Sequence, residues 1–131
     1  KDKRKVSVIL STDTPTYEDG RVGVPYIKVQ AVNSGHRSVT LSTIAIELPN
    51  GKPLYIITPV RFRIFTDTQM PATISEGQSA HSYYAYSQIT SALREANYKR
   101  KTKVVGFCQL STGEVFKSDP VKFDPNEWKD T

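Results

Sequence analysis

Apolar and polar residues alternate along most of the chain, with the period of two that is typical of a half-buried β-strand. In KVSVILST, near the start, Val6, Val8 and Leu10 fall on one face of the predicted strand. The pattern recurs in VPYIKVQAVN, SVTLSTIAIEL, PLYIIT, VRFRIF, AHSYYAYS, KVVGFCQLS, TGEVFKS and PVKF. Short strands at this spacing predict an all-β antiparallel sandwich or barrel. Inside SVTLSTIAIEL the alternation changes phase, which predicts a β-bulge near Ser42 to Ile44.

Turn signals separate these segments and predict hairpins. In NSGHR we expect Asn33 and Gly35 to take positive φ in a tight turn between two paired strands. Asn50-Gly51 predicts a type I′ turn, and residues 111–113 predict the last hairpin. With 131 residues and no internal repeat, we expect residues 1–124 to form a single domain and residues 125–131 to form a C-terminal tail.

One segment, SYYAYSQITSALREANYKRKTK, changes from strand to helix periodicity, and it predicts one short helix over about residues 88–97. Its apolar stripe consists of Ile89, Ala92, Leu93 and Ala96. Ser87 is the predicted N-cap and Asn97 the predicted left-handed C-terminal residue. Because a helix of about ten residues is marginal in water, we expect its stripe to dock at an open end of the sandwich, between one edge strand and the next.

A basic cluster follows this helix and is the first candidate site: Lys99, Arg100, Lys101 and Lys103. The preferred interpretation is structural, because cations near a helix C-terminus interact favourably with the helix dipole. The functional interpretation is a patch that faces phosphate or anionic lipid, and we expect any such lipid contact to be weak.

Nucleic acid is not an expected partner. The helix positions predicted to be exposed are Thr90, Ser91, Arg94 and Glu95, which do not make a basic or amide-rich reading face. Characteristic nucleic-acid-binding motifs do not occur in the sequence. A net charge of +5 is small for a domain whose affinity would come from phosphate contacts.

The tyrosine-rich strand supplies the second candidate, an aromatic surface formed by Tyr84 and Tyr86, which alternation places on one face. Such a surface on a β-sandwich fits carbohydrate binding. Protein binding through an aromatic patch or a sheet edge is the preferred alternative.

Catalytic and metal-binding patterns are missing from the sequence. His36 and His81 are far apart and have no Cys or Asp at ligand spacing. The single cysteine, Cys108, has no partner base nearby, and we expect it to be a small buried hydrophobe on the same strand face as Val104 and Gly106. The sequence therefore predicts no enzyme, no metal site and no cofactor.

Two stretches resemble bacterial immunoglobulin-like sandwich domains, many of which lie downstream of a membrane helix. They are YIKVQAVNSGHRSVTLSTIAIELPNGK, with its strand ending in V-N-x-G, and SALREANYKRKTKVVGFCQLSTGEVFKS, with a short helix, a strand, a glycine turn and a strand. The resemblance implies an immunoglobulin-like antiparallel β-sandwich of about seven or eight strands. The antibody-type cysteine pair and tryptophan are missing, so no binding residue is transferred.

These observations predict a non-catalytic binding or accessory domain of a larger bacterial protein, with a protein as its partner. A carbohydrate-binding module, or a basic domain that contacts nucleic acid or anionic lipid, is the alternative. The basic start, KDKRK, is typical of the cytoplasmic flank of a membrane helix, and a lone thiol fits a reducing compartment. We therefore expect a cytoplasmic domain. Its basic start is either the flank of an upstream segment that tethers the domain to the membrane or a solvated terminus, and the sequence leaves both alternatives open.

Overall fold

A computed structural model describes residues 5–13, 20, 25–54 and 67–124. The elements in this part of the chain are β1 (Val6–Asp13), β2 (Tyr26–Asn33), β3 (Val39–Glu47), β4 (Ala72–Ile74), β5 (Ser79–Ala85), α1 (Tyr86–Glu95), β6 (Thr102–Leu110), β7 (Val115–Lys117) and β8 (Val121–Phe123). The strands predicted in PLYIIT, beyond residue 54, and in VRFRIF lie outside the described residues, as do residues 1–4 and the predicted tail.

The described strands form two antiparallel sheets that pack face to face. One sheet has the order β1-β2-β5, and the other has the order β4-β3-β6-β7, with β8 also paired to β6. The predicted all-β sandwich of about eight strands with one short helix is thus confirmed. Immunoglobulin sandwiches also divide their first, second and fifth strands from their third, sixth and seventh. Here β4 joins β3 at the edge of the second sheet.

The two short strands β7 and β8 run along the same side of β6. Phe107 of β6 pairs with Lys117 of β7, and Val104 pairs with Val121 of β8. Between the two strands, Ser118 donates its main-chain N–H to the Gly106 carbonyl and accepts the Gly106 N–H on its hydroxyl. The two strands therefore act as one strand with an interruption opposite Gly106.

The core lies between the sheets and follows the period-two pattern. On β6 the even-numbered residues are buried and the odd-numbered residues from Val105 to Gln109 are partly exposed. Cys108 is fully buried beside Val104 on the inner face, as predicted. On β3 the register shifts between Leu41 and Thr43, so the predicted bulge is confirmed. It lets Leu41 and Ile44 both face the core despite their odd spacing.

The sheets approach each other closely at Gly106. A Cβ atom built on this residue would lie 2.7 Å from Leu10 Cδ2 and 3.0 Å from Val29 Cγ1, which belong to the opposite sheet. The missing side chain therefore makes room for β1 and β2 against the centre of β6.

The prediction of a hairpin in NSGHR is wrong, because β2 and β3 belong to different sheets. Neither Asn33 nor Gly35 has positive φ. Asn33 instead accepts the Gly35 N–H on its side-chain oxygen at 3.0 Å. This side-chain turn carries the chain from one sheet to the other without a left-handed residue.

Two turns in the second sheet share one geometry. The Gly51 N–H donates to the Leu48 carbonyl, and the Gly113 N–H donates to the Leu110 carbonyl. Each glycine has positive φ, 83° for Gly51 and 98° for Gly113, whereas Asn50 does not. The predicted type I′ turn at Asn50-Gly51 is therefore wrong, since that type needs positive φ at both residues. A type I turn followed by a left-handed glycine fits these bonds.

Helix α1 joins β5, at the edge of the first sheet, to β6 in the second. The predicted position between two edge strands is wrong for the second strand, because β6 lies between β3 and β7. It begins two residues earlier than predicted, with Ala85 as N-cap in place of Ser87. The Ala85 N–H donates to Gln88 Oε1 at 3.0 Å, and the Tyr86 N–H donates to the Pro25 carbonyl. The main-chain N–H groups at the junction between β5 and α1 thus both have a hydrogen-bond acceptor.

The helix buries most of its predicted stripe. Ile89, Ala92 and Leu93 are buried, whereas Ala96 lies beyond the last turn and is exposed. Thr90, predicted to be exposed, is buried, because the buried surface of the helix is wider than the stripe. Asn97 has φ of 70°, which confirms the predicted left-handed residue at the C-terminal end.

Candidate functional site

The basic cluster lies in the turn after α1 and at the start of β6. Its four side chains, Lys99, Arg100, Lys101 and Lys103, are exposed. Lys103 stands on the outer face of β6, because its neighbour Val104 is fully buried. The structure also brings in a residue that sequence reasoning missed, since Lys122 of β8 is exposed and lies directly opposite Lys103 in the antiparallel ladder.

The lysine row, defined here as Lys101, Lys103 and Lys122, has unbalanced charge. Within the described residues, no ion pair or hydrogen bond involves a side chain of the row. Like charges directly opposite each other on neighbouring strands are destabilising. A bound anion would reduce this repulsion, so the row can attract carboxylate or phosphate groups.

The candidate aromatic residues do not form one surface. The prediction that Tyr84 and Tyr86 share a strand face is wrong, because β5 ends at Ala85 and Tyr86 begins α1. Both side chains are half-buried and pack against the core. The Tyr86 ring meets Phe123 edge to face at 5.0 Å. Each of these tyrosines therefore leaves only part of its side chain exposed to a ligand.

An apolar surface does occur on the outer face of the second sheet. Ala45, Phe107 and Lys117 lie side by side across β3, β6 and β7. Next to Phe107, Val115 keeps 48% of its surface exposed. Val105 is also partly exposed on this face. Phe107, Val115 and Val105 thus present apolar atoms among the polar neighbours Glu47, Gln109 and Lys117, and exposed apolar atoms of this kind are a candidate interaction site.

A groove of about 300 Å³ opens on this area. The Phe107 groove, as we call it, is lined by Glu47, Gly51, Phe107, Val115 and Lys117. Lys117 Nζ lies 3.0 Å from Glu47 Oε2 and 3.2 Å from Oε1. Because β6 separates β3 from β7, this ion pair reaches across β6 and forms a polar boundary beside the Phe107 ring.

Sequence reasoning missed the groove, although the sequence contained a signal for it. Alternation on β6 puts Phe107 on the face opposite Cys108, so a buried cysteine implies an outward aromatic ring. The neighbours Ala45 and Val115 could not be assigned, because they depend on the register of three strands that are distant in the sequence.

Metal sites and membrane spans have no candidate in the part of the chain that the structure describes. There, no three side chains of His, Cys, Asp or Glu are grouped so as to hold a metal ion. No helix in these residues combines the length and the apolar character needed to cross a membrane. His36, in the turn after β2, is exposed, and its Nδ1 atom lies 3.0 Å from Glu76 Oε2.

Comparison of the chain with protein-family models, with curated proteins and with solved structures gives no match. The resemblance to bacterial immunoglobulin-like domains therefore stays a prediction.

Proposed function

We propose that this chain is a non-catalytic binding domain of a larger bacterial protein, and that its partner is a protein. The observation that carries the proposal is the Phe107 groove with the exposed Val115 beside it. Interface centres are enriched in aromatic side chains and depleted of charge. A groove of about 300 Å³ is at the lower end of the sizes that hold small ligands, and it also has room for one large apolar side chain.

Site-specific photo-crosslinking tests this function. A photoreactive phenylalanine analogue replaces Val115 in one variant and Ile9 in the other. Ile9 is a matched control, because it is also 48% exposed but lies in the other sheet, on β1. We expect a discrete protein adduct, identifiable by mass spectrometry, from position 115 and not from position 9.

The identified partner is then purified and its affinity measured directly. Phe107→Ala should weaken binding by more than about 1 kcal/mol, as truncation of a central aromatic residue does. A thermal melt of the variant checks that the fold survives. Equal adducts from both positions, or unchanged affinity in Phe107→Ala, would contradict the proposal.

We further propose that the domain works in the cytoplasm, tethered to the membrane through another part of its protein. Because Cys108 is the single cysteine of the sequence, the domain has no intramolecular disulfide, which fits a reducing compartment. Fractionation of cells that express the full-length protein checks this location. Recovery of the domain on the outer side of the membrane would contradict it.

A further inference from the structure

We propose that the Phe107 groove and the lysine row form one binding surface for an acidic polypeptide segment. The segment places an apolar side chain in the groove and carboxylates over Lys103 and Lys122. This inference rests on the proposed function and adds the chemistry of the partner.

The first argument is that both features lie on the same face of the same strand. Phe107 and Lys103 are four residues apart on β6, and an even separation keeps side chains on one face. At roughly 3.3 Å per residue they are separated by about 13 Å. Lys122, opposite Lys103, widens the basic end of the surface onto β8.

The second argument is charge complementarity. Lys117 Nζ lies 3.0 Å from Glu47 Oε2, so the two charges balance each other and the groove itself carries little net charge. The lysine row at the other end of β6 has no acidic partner in the described part of the chain. A ligand that matches both ends therefore needs an apolar group at one end and negative charge at the other.

The third argument separates a polypeptide from an anionic membrane. Proteins bind membrane surfaces by burying protruding apolar side chains below the headgroups. Here Val115 is exposed, but Phe107 and Val115 together line a groove of about 300 Å³, which a single apolar side chain can enter. An extended peptide supplies this side chain and, about four residues away on the same face, the carboxylates.

Selection from a displayed library of random 12-residue peptides tests the proposal. Three proteins are used as bait: the parent chain, the double variant Lys103→Glu/Lys122→Glu, and the control Lys5→Glu/Arg37→Glu. The control changes net charge by the same amount with exposed residues at the opposite end of the sandwich. Thermal melts check that all three proteins are folded.

We expect peptides enriched on the parent to combine an apolar or aromatic residue with two acidic residues about four positions away. As synthetic peptides, they should bind the Lys103→Glu/Lys122→Glu variant roughly tenfold more weakly, which corresponds to about 1.4 kcal/mol for two exposed ion pairs. They should bind the control within about twofold of the parent.

Four results would overturn the inference. The enriched peptides could lack an excess of acidic residues, or the control could lose as much affinity as the double variant. Either result would mean that the groove binds protein without help from the lysine row. Enrichment of no peptide, together with binding of the parent to phosphatidylserine vesicles that the double variant loses, would assign the surface to lipid. Enrichment of no peptide without vesicle binding also refutes the acidic partner. Crosslinking at Val115 tests the proposed function independently.

Discussion

The side-chain amide of Asn33 donates a hydrogen bond of 2.9 Å to the main-chain carbonyl of Ile74. The same amide donates to the Arg37 carbonyl at 2.7 Å. Asn33 sits at the end of β2 and Ile74 at the end of β4, so this fully buried side chain ties the two sheets together where the chain crosses between them. Buried polar groups of this kind are destabilising when a partner is removed.

Replacement of Asn33 should therefore be among the more damaging single changes. Asn33→Ala takes the amide donor away from the buried carbonyls of Arg37 and Ile74 and should lower the free energy of unfolding by about 3 kcal/mol, whereas the Gly35 N–H keeps its second acceptor, the Lys5 carbonyl. Asn33→Asp should cost more, because a carboxylate oxygen would face both carbonyls in place of a donor. Urea melts measure both, with exposed Ser34→Ala as a control expected to change by less than about 0.5 kcal/mol. A loss below about 1 kcal/mol in Asn33→Ala would contradict this role.

The close contact of the sheets at Gly106 leads to a second prediction. Gly106→Ala would set its Cβ 2.7 Å from Leu10 Cδ2 and should cost about 1–3 kcal/mol through overpacking. Leu10→Ala removes the nearest atom, so the double variant should be more stable than the sum of the two single effects predicts. A double-mutant cycle by urea melts measures the coupling. Simple additivity would show that the sheets do not touch there.

The helix stripe gives a third prediction. Leu93 is fully buried on α1, so Leu93→Ala should lower the free energy of unfolding by about 2–4 kcal/mol. Ala96→Ser, at the exposed end of the same stripe, is the matched control and should change it by less than about 0.5 kcal/mol. If the parent and Leu93→Ala have the same free energy of unfolding in urea melts, α1 does not dock through this face.

Alternation in the sequence predicted the inner and outer faces of β6 and the docking stripe of α1, because both depend on the period of one segment. The bulge at Leu41 and Thr43 was also readable, since one extra residue in a strand shifts the phase of its alternation. The partners of Asn33 could not be predicted, because Ile74 lies 41 residues away. The sequence could not predict that Lys122 belongs to the lysine row, for the same reason. Only the register between β6 and β8 places Lys122 opposite Lys103.

Cys108 leads to a prediction about pH. Burial raises the pKa of its thiol to about 11, and a backbone hydrogen bond with Phe116 partly opposes this. The folded state therefore holds its thiol proton to higher pH than the unfolded state does. Stability from this group is complete below about pH 9 and is lost as the pH rises from about 9 to 11.

Urea melts of the parent and of Cys108→Ala across this range check the effect. The parent should lose more stability over this range than the variant, which lacks the buried thiol. Native Cys108 should also react with a thiol reagent far more slowly than a free peptide thiol, since the thiolate is the reactive form. Parallel stability curves together with fast labelling would contradict burial of the thiol.

The pair Lys103 and Lys122 gives the last prediction, which needs no ligand. Because like charges lie opposite each other on β6 and β8, Lys122→Glu replaces repulsion by attraction and should raise the free energy of unfolding by about 0.5 kcal/mol at low salt. Lys122→Gln removes the repulsion only and should give a smaller gain. Both gains should shrink in about 1 M salt, where the Debye length falls to about 3 Å. Urea melts at two salt concentrations measure this, and a gain that does not depend on salt would mean that repulsion between the two ammonium groups is not its source. If the gain is electrostatic, the lysine row is a place where the free domain gives up some stability, and a partner that brings carboxylates there would recover it.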